Sequence, residues 1–158
     1  MKRLLLIGIV SIFTFYSCSS SSPTAMNRSS QKGLPGTWNL DRVSYSESMV
    51  KVKAFDEYDA QCLKNSTWFF VANNNTGNFT FPGESGCPSG TQKFTWYIDK
   101  QDMFILKLLN EGDKARKVTV GTTYLFQSIS ENEFKLSQVV SGLTITYHFS
   151  KLSSGKLK

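Results

Sequence analysis

The chain has 158 residues, of which 40% are hydrophobic and 13% aromatic, with 12 Phe, so one domain with an ample core fits the length. Charged residues make up only 19% and the formal net charge is +6, a balance that excludes a strongly charged disordered chain. The basic residues are scattered among acidic ones, and no arginine-rich run with interleaved aromatics points to nucleic acid.

Met1, Lys2 and Arg3 form a short positive segment, and the almost wholly apolar Leu4 to Tyr16 follows. That stretch is too short for a transmembrane helix and has the length of a secretory signal core. It closes on Phe15, Tyr16, Ser17 and Cys18. A small residue before a cysteine at this place resembles the lipobox of bacterial lipoproteins. The resemblance implies that Cys18 becomes the mature first residue, acylated on sulfur and on its amine. Ser19 next to it implies the outer membrane, on the periplasmic face. The alternative is an ordinary secretory signal with an incidental cysteine. Each buried CH₂ contributes about 0.8 kcal/mol, so two or three chains anchor far more firmly than one. Ser19 to Lys32 is Ser-rich, contains Pro23 and lacks apolar periodicity, which predicts a disordered tether. The expected organisation is a signal peptide at 1–17, a lipid-anchored tether at 18–33, a folded domain at 34–152 and a tail at 153–158.

The folded part opens after Gly33, Leu34, Pro35 and Gly36 with an alternating strand through Thr37, Trp38, Asn39 and Leu40. The alternation slips near Arg42 and Val43, which predicts a bulge before Tyr45. Met49 to Lys53 reads as a short second strand, and Phe55 to Gln61 as a loop or helical turn. Asp56, Glu57 and Asp59 in it suggest a solvated acidic loop. Oxygen ligands for Ca²⁺ are the alternative, but the glycine and ordered spacing of a calcium loop are missing.

The most informative stretch runs from Cys62 to Asp99. Ser66 to Val71, Asn78 to Phe81 and Gln92 to Ile98 are β-rich, and the turn Asn73 to Gly77 joins the first two. Asp99 to Asp102 turns the chain, and Met103 to Leu109 reads as a strand without a clean polar face. Lys114, Arg116 and Lys117 then form a small basic cluster, read as a solvated turn with an anionic partner as the alternative. Val118 to Val120 and Thr123 to Ile129 read as one long or broken strand around Gly121. A hairpin at Ser130 to Glu133 leads into Phe134 to Gln138. The last strand, Leu143 to Lys151, has the cleanest period of two. It sets Leu143, Ile145, Tyr147 and Phe149 against Thr144, Thr146, His148 and Ser150. Short, regularly spaced strands without a long helix predict an all-β fold, a single antiparallel up-and-down barrel of about eight strands.

With Cys18 assigned to lipid, Cys62 and Cys87 remain as an even pair in an oxidising compartment, which predicts a disulfide. Two free thiols or a metal site are the alternatives, and two sulfurs without a second pair or a nearby histidine do not make a zinc site. His148, the single histidine, lies on the polar face of its strand, so a surface role is expected rather than that of a catalytic base. Nucleophilic catalysis needs a base beside the nucleophile, and no local pattern offers one. No enzyme activity, metal or cofactor is expected.

Gly36, Thr37 and Trp38 match the Gly-X-Trp signature of lipocalins. Cys62 before Trp68, Phe69 and Phe70, then Gly77, Phe79 and Cys87, then Gly90 to Trp96, and late Glu133 to Leu136, follow the same order as the lipocalin-like domain of bacterial lipoproteins. The resemblance spans about Leu34 to Leu152 and implies a calycin-type barrel. In lipocalins the first-strand tryptophan packs against an arginine from near the chain end. Here Lys151 is the nearest basic residue, so Gly36, Trp38 and Lys151 are the expected closure set. By parity Phe79, Phe81, Phe94, Trp96, Ile98, Tyr124, Phe126, Tyr147 and Phe149 point inward. A barrel of eight strands is just wide enough to be filled or to hold one small ligand. Two functions therefore stay open: a binding module for a small apolar ligand, or a non-catalytic envelope lipoprotein with a filled core that serves a protein partner.

Overall fold

The computed structural model describes residues 32–48, 51–55, 57–71, 73–99, 101 and 103–153. The expected signal peptide, Cys18 and the expected tether up to residue 31 lie outside them, as does the expected tail from residue 154. Eight strands form one closed antiparallel barrel: β1 (Gly36–Tyr45), β4 (Thr67–Val71), β5 (Thr76–Thr80), β6 (Thr91–Ile98), β7 (Phe104–Leu109), β8 (Thr122–Ser130), β9 (Glu133–Val140) and β10 (Leu143–Ser153). Each strand pairs with the next in sequence, and β1 closes the ring by pairing with both β10 and β4. Closure leaves no free sheet edge.

The expected alternation holds strand by strand. Trp38, Leu40 and Val43 are buried on β1, Trp68 and Phe70 on β4, Phe94 and Trp96 on β6, and Ile145, Tyr147 and Phe149 on β10. The slip near Arg42 is a bulge: pairing jumps between Leu40 and Arg42, and Asp41 is left without a partner in β10. Its carboxylate accepts hydrogen bonds from Asn39 Nδ2 (2.6 Å) and Ser150 Oγ (3.0 Å). The bulge restores the inward phase for Val43 and Tyr45.

Between β1 and β4 the chain does not turn tightly. It crosses one end of the barrel as a small hairpin, β2 (Lys53–Ala54) with β3 (Tyr58–Asp59), and then a 3₁₀ turn, Ala60–Leu63. Asp59 caps that turn by accepting from the Gln61 backbone N–H at 3.0 Å. Val52, Ala54, Ala60 and Leu63 are buried, so the segment lays an apolar underside on the barrel. Sequence reading expected the second strand over Met49 to Lys53, of which Met49 and Val50 lie outside the described residues, and a loop or helical turn beyond it. The pairing lies later, over 53–59, because the buried residues of the hairpin are spaced to cover the barrel rather than to alternate within it.

The strand expected around Gly121 is shorter than expected. Val118 to Val120 are not in β8, which begins at Thr122. β7 and β8 pair only from Phe104 with Tyr124 to Leu106 with Thr122, so the ladder stops at Thr122 although β7 continues to Leu109. Lys107 instead donates from Nζ to the Val118 carbonyl at 2.9 Å. β10 also runs through Ser153, one residue past the expected domain boundary.

Candidate functional site

All nine residues expected to face inward do so. Phe79, Phe81, Phe94, Trp96, Tyr124, Phe126, Tyr147 and Phe149 are buried, and Ile98 is half-buried against them. They do not line an open cavity. They pack on one another and on Trp68, Phe70, Phe104 and Phe134, four residues of the same parity that the reading of the inner face left out. Trp68 stacks on Phe79 with centroids 4.4 Å apart, and Phe134 on Phe149 at 4.4 Å. Trp96 stacks on Phe104 at 5.9 Å and donates its indole N–H to the Thr76 carbonyl, so it is part of the packed wall. Such offset and edge-on contacts add about 0.5–1.5 kcal/mol each beyond the area they bury.

A small void of about 10 Å³ lies near the covered end. Its walls are Phe55, Leu63, Trp68, Leu106, Tyr124, Leu136, Tyr147 and Phe149, of which the inward set anticipated Tyr124, Tyr147 and Phe149. Phe55 comes from the β2–β3 hairpin and lies against Phe79 (6.1 Å) and Tyr124 (6.4 Å). No periodic signal surrounds Phe55 in the chain, so sequence reading missed it. Tyr58, from the same hairpin, sits edge-on to Phe81 at 5.1 Å, and its hydroxyl donates to Gln92 at 3.4 Å. Burial and the neighbouring Glu57 raise the Tyr58 pKa to about 12.

The polar groups at this end are hydroxyls and amides. Gln138 Nε2 donates to the Tyr147 hydroxyl at 3.1 Å. Among the described residues the buried Tyr45 hydroxyl makes no hydrogen bond of regular geometry, although the Gln61 side chain lies beside it. Burial raises the pKa of the Tyr45, Tyr124 and Tyr147 hydroxyls above the usual phenol value, most of all for Tyr124 and Tyr147; Tyr45 pushes Tyr147 further up, and Tyr147 does the same to Tyr124. All three are neutral at physiological pH. Among the described residues, the buried side chains outside the apolar and aromatic set are Ser66 and Gln138, so the interior carries no charge. Ser66 accepts from the Trp68 indole at 2.8 Å and donates to the Leu63 carbonyl, which ties the 3₁₀ turn to β4.

Cys62 and Cys87 form a disulfide with Cα atoms 5.4 Å apart. It joins the 3₁₀ turn to the loop between β5 and β6, fastening the covering segment to the barrel rim.

The opposite end carries the expected closure set. Gly36 is buried with φ 133°, a conformation that glycine adopts far more readily than other residues. Trp38 donates its indole N–H to the Leu34 carbonyl at 2.8 Å and meets Phe134 edge-on at 4.6 Å. Lys151 Nζ lies 5.0 Å from the centre of the Trp38 ring and donates to the Gly33 carbonyl at 3.3 Å. A surface groove of about 550 Å³ lies here, between residues 32–34 and the β8–β9 hairpin. Glu131, Glu133 and Lys151 line its sides, while Trp38, Phe126 and Phe134 beneath are almost wholly buried.

On the outer wall, Ser44 lies 2.9 Å from His148 Nε2, a juxtaposition across 104 positions that the sequence does not announce. Arg42 lies 3.3 Å from Nδ1. The guanidinium can only donate there, so Nδ1 is the acceptor and Nε2 carries the proton toward Ser44. Burial, then Arg42 and Lys135, lower the histidine pKa. A serine nucleophile needs the reverse: a free Nε2 lone pair and an acid behind Nδ1. Of the three acidic residues read as a solvated loop, Asp59 caps the 3₁₀ turn and Asp56 lies outside the described residues; no group of three metal-ligating side chains is found among the described residues.

An eight-stranded up-and-down barrel with a buried tryptophan on its first strand and one end crossed by the β1–β4 connection is a calycin-type architecture. The family model for the lipocalin-like domain matches residues 34–157, and the chain belongs to that family. No curated protein and no solved structure matches it.

Proposed function

We propose that the protein is a non-catalytic, lipid-anchored lipoprotein of the outer membrane, facing the periplasm, whose barrel receives one small apolar molecule at the end covered by the β2–β3 hairpin. The observation that carries this reading is the interior of a lipocalin-like barrel lined by aromatic rings and neutral hydroxyls, with no buried charge among the described residues. Apolar pockets with a few placed polar groups are the usual form of a small-molecule site. Anchoring rests on the lipobox-like end of the signal segment at Cys18.

A second reading is supported by the void of only about 10 Å³: a filled barrel that serves as a structural or protein-interacting envelope lipoprotein. The two separate on binding. A naphthalene-type fluorescent probe added to the wild-type protein is expected to bind saturably at one site and to alter tryptophan emission. Absence of saturable binding would favour the filled barrel. For the anchor, Cys18→Ala is expected to lose palmitate labelling and membrane retention. A variant that still labels and pellets with membranes refutes lipidation at Cys18.

A further inference from the structure

Charged side chains on the outer wall are sorted by sign into two neighbouring rows. Arg42 on β1 lies opposite His148 on β10, and His148 lies opposite Lys135 on β9, so three basic groups follow one another across three strands. Arg42 reaches His148 Nδ1 at 3.3 Å. Two residues nearer the closed end, Glu133 on β9 lies opposite Ser150 on β10, and the bulged Asp41 accepts from the Ser150 hydroxyl at 3.0 Å. That row is acidic. On the far side of the basic row, Ser44, Thr146 and Ser137 line up as hydroxyls, with Ser44 2.9 Å from His148 Nε2.

A face that serves only solubility gains from opposite charges set across the strands, and like charges set opposite one another weaken a sheet. Here base lies opposite base, and the Asp41 carboxylate is spent on Asn39 and Ser150. Both charged rows border one depression of about 320 Å³. The charged and titratable groups facing it are Asp41 and Arg42 from β1, Glu133 and Lys135 from β9, and His148 from β10, while β8 supplies the exposed Ile129. Burial first, then Arg42 and Lys135, keep a proton off His148, and Asp41 opposes them.

We propose that this depression binds an aminoalkyl phosphate, with the phosphate over Arg42, His148 and Lys135 and the ammonium between Asp41 and Glu133. A guanidinium, a lysine and a titratable imidazole side by side suit an oxyanion that can hold two negative charges. Two residues of strand advance about 6.6 Å, which separates the rows along β9 and β10. The charges of an α-amino acid are separated by a single carbon and fall short of that step; an aminoethyl phosphate comes close to it. The same head occurs free and on a lipid. The site lies outside the barrel, so the proposal stands whether or not the interior takes a ligand.

The test uses the full-length protein in phosphate-free buffer, with O-phosphoethanolamine, inorganic phosphate and ethanolamine as probes. Calorimetry and the His148 ring signals in NMR are the readouts. O-Phosphoethanolamine is expected to bind at a single site, about fivefold more tightly than inorganic phosphate, the upper end for an added exposed ion pair. An anion beside the ring favours its charged form, so the His148 midpoint should rise on binding. Arg42→Gln and Lys135→Gln lie on different strands, and each should weaken O-phosphoethanolamine about fivefold; should one not fold, the other carries the test. Glu133→Gln should bring O-phosphoethanolamine down to the affinity of phosphate without weakening phosphate. Equal affinity of wild type for the two probes overturns the ammonium contact. An unmoved His148 midpoint, or binding that survives both Arg42→Gln and Lys135→Gln, overturns the site. Vesicles tell the sources apart, with Cys18→Ala protein added to phosphatidylglycerol with and without phosphatidylethanolamine. Retention that needs phosphatidylethanolamine and Arg42 supports a lipid headgroup; binding of the soluble probe alone supports a free phosphoamine.

Discussion

At the scale of single residues, the interior is so full that even a methyl group matters. Gly77 on β5 faces Phe94 across the ladder, and a Cβ at that position would overlap the Phe94 ring and the Phe69 carbonyl oxygen. Backbone freedom is not the reason for this glycine; the ring that covers it is. Gly77→Ala is therefore expected to destabilise the barrel by about 1–3 kcal/mol, the usual cost of overpacking. Urea denaturation measures it, and a variant as stable as the parent would mean that Phe94 has another place to go. His148 yields a prediction of a different kind. Its folded pKa lies below the ordinary 6.5 because it is partly buried and faces Arg42 and Lys135, with Asp41 opposing them only in part. The unfolded chain then binds the extra proton first, so stability is retained above pH 6.5 and declines as the pH falls toward the folded pKa. An NMR titration should place the His148 midpoint below 6.5, and His148→Gln should flatten the stability profile in that window. A midpoint above 6.5 would contradict the geometry around Nδ1.

At the scale of elements, the crossing from β1 to β4 is the part that distinguishes this barrel from a plain meander. It carries a buried underside, a capped 3₁₀ turn and one half of the disulfide. The bond closes a loop with a sequence separation of 25. Loop-closure entropy assigns such a link up to about 3.5 kcal/mol. Replacing both Cys62 and Cys87 by Ser is expected to lower stability by an amount approaching that figure, and peptide mapping of unreduced protein should find the two joined. The double variant should keep its barrel, because β4, β5 and β6 hold one another by ladder pairing that does not involve the bond. Loss of the entire β-sheet signal would show that the covering segment is needed to close the ring.

At the scale of the whole molecule, the barrel was legible because its main signal is local. Period two on β10 and on β6 tells which side chains share a face, and a face so apolar has to be covered. The nine inward residues, the bulge near Arg42 and the pairing of Cys62 with Cys87 all follow from such patterns, joined to the compartment implied by the first residues. Val118 to Val120 misled for the same reason: a short β-branched stretch looks like a strand whether or not another strand lies opposite. Periodicity also cannot tell a lined cavity from a filled one, because both need the same apolar face. That was decided by how the rings of β4, β6, β7 and β9 interlock, which leaves about 10 Å³. The placing of Tyr45 beside Tyr147 and of Ser44 against His148 was likewise decided by closure, and that of Phe55 over Phe79 and Tyr124 by the way the hairpin crosses the barrel end. Each joins residues far apart in the chain, and tertiary packing, which no local pattern encodes, is what sets the distance between them.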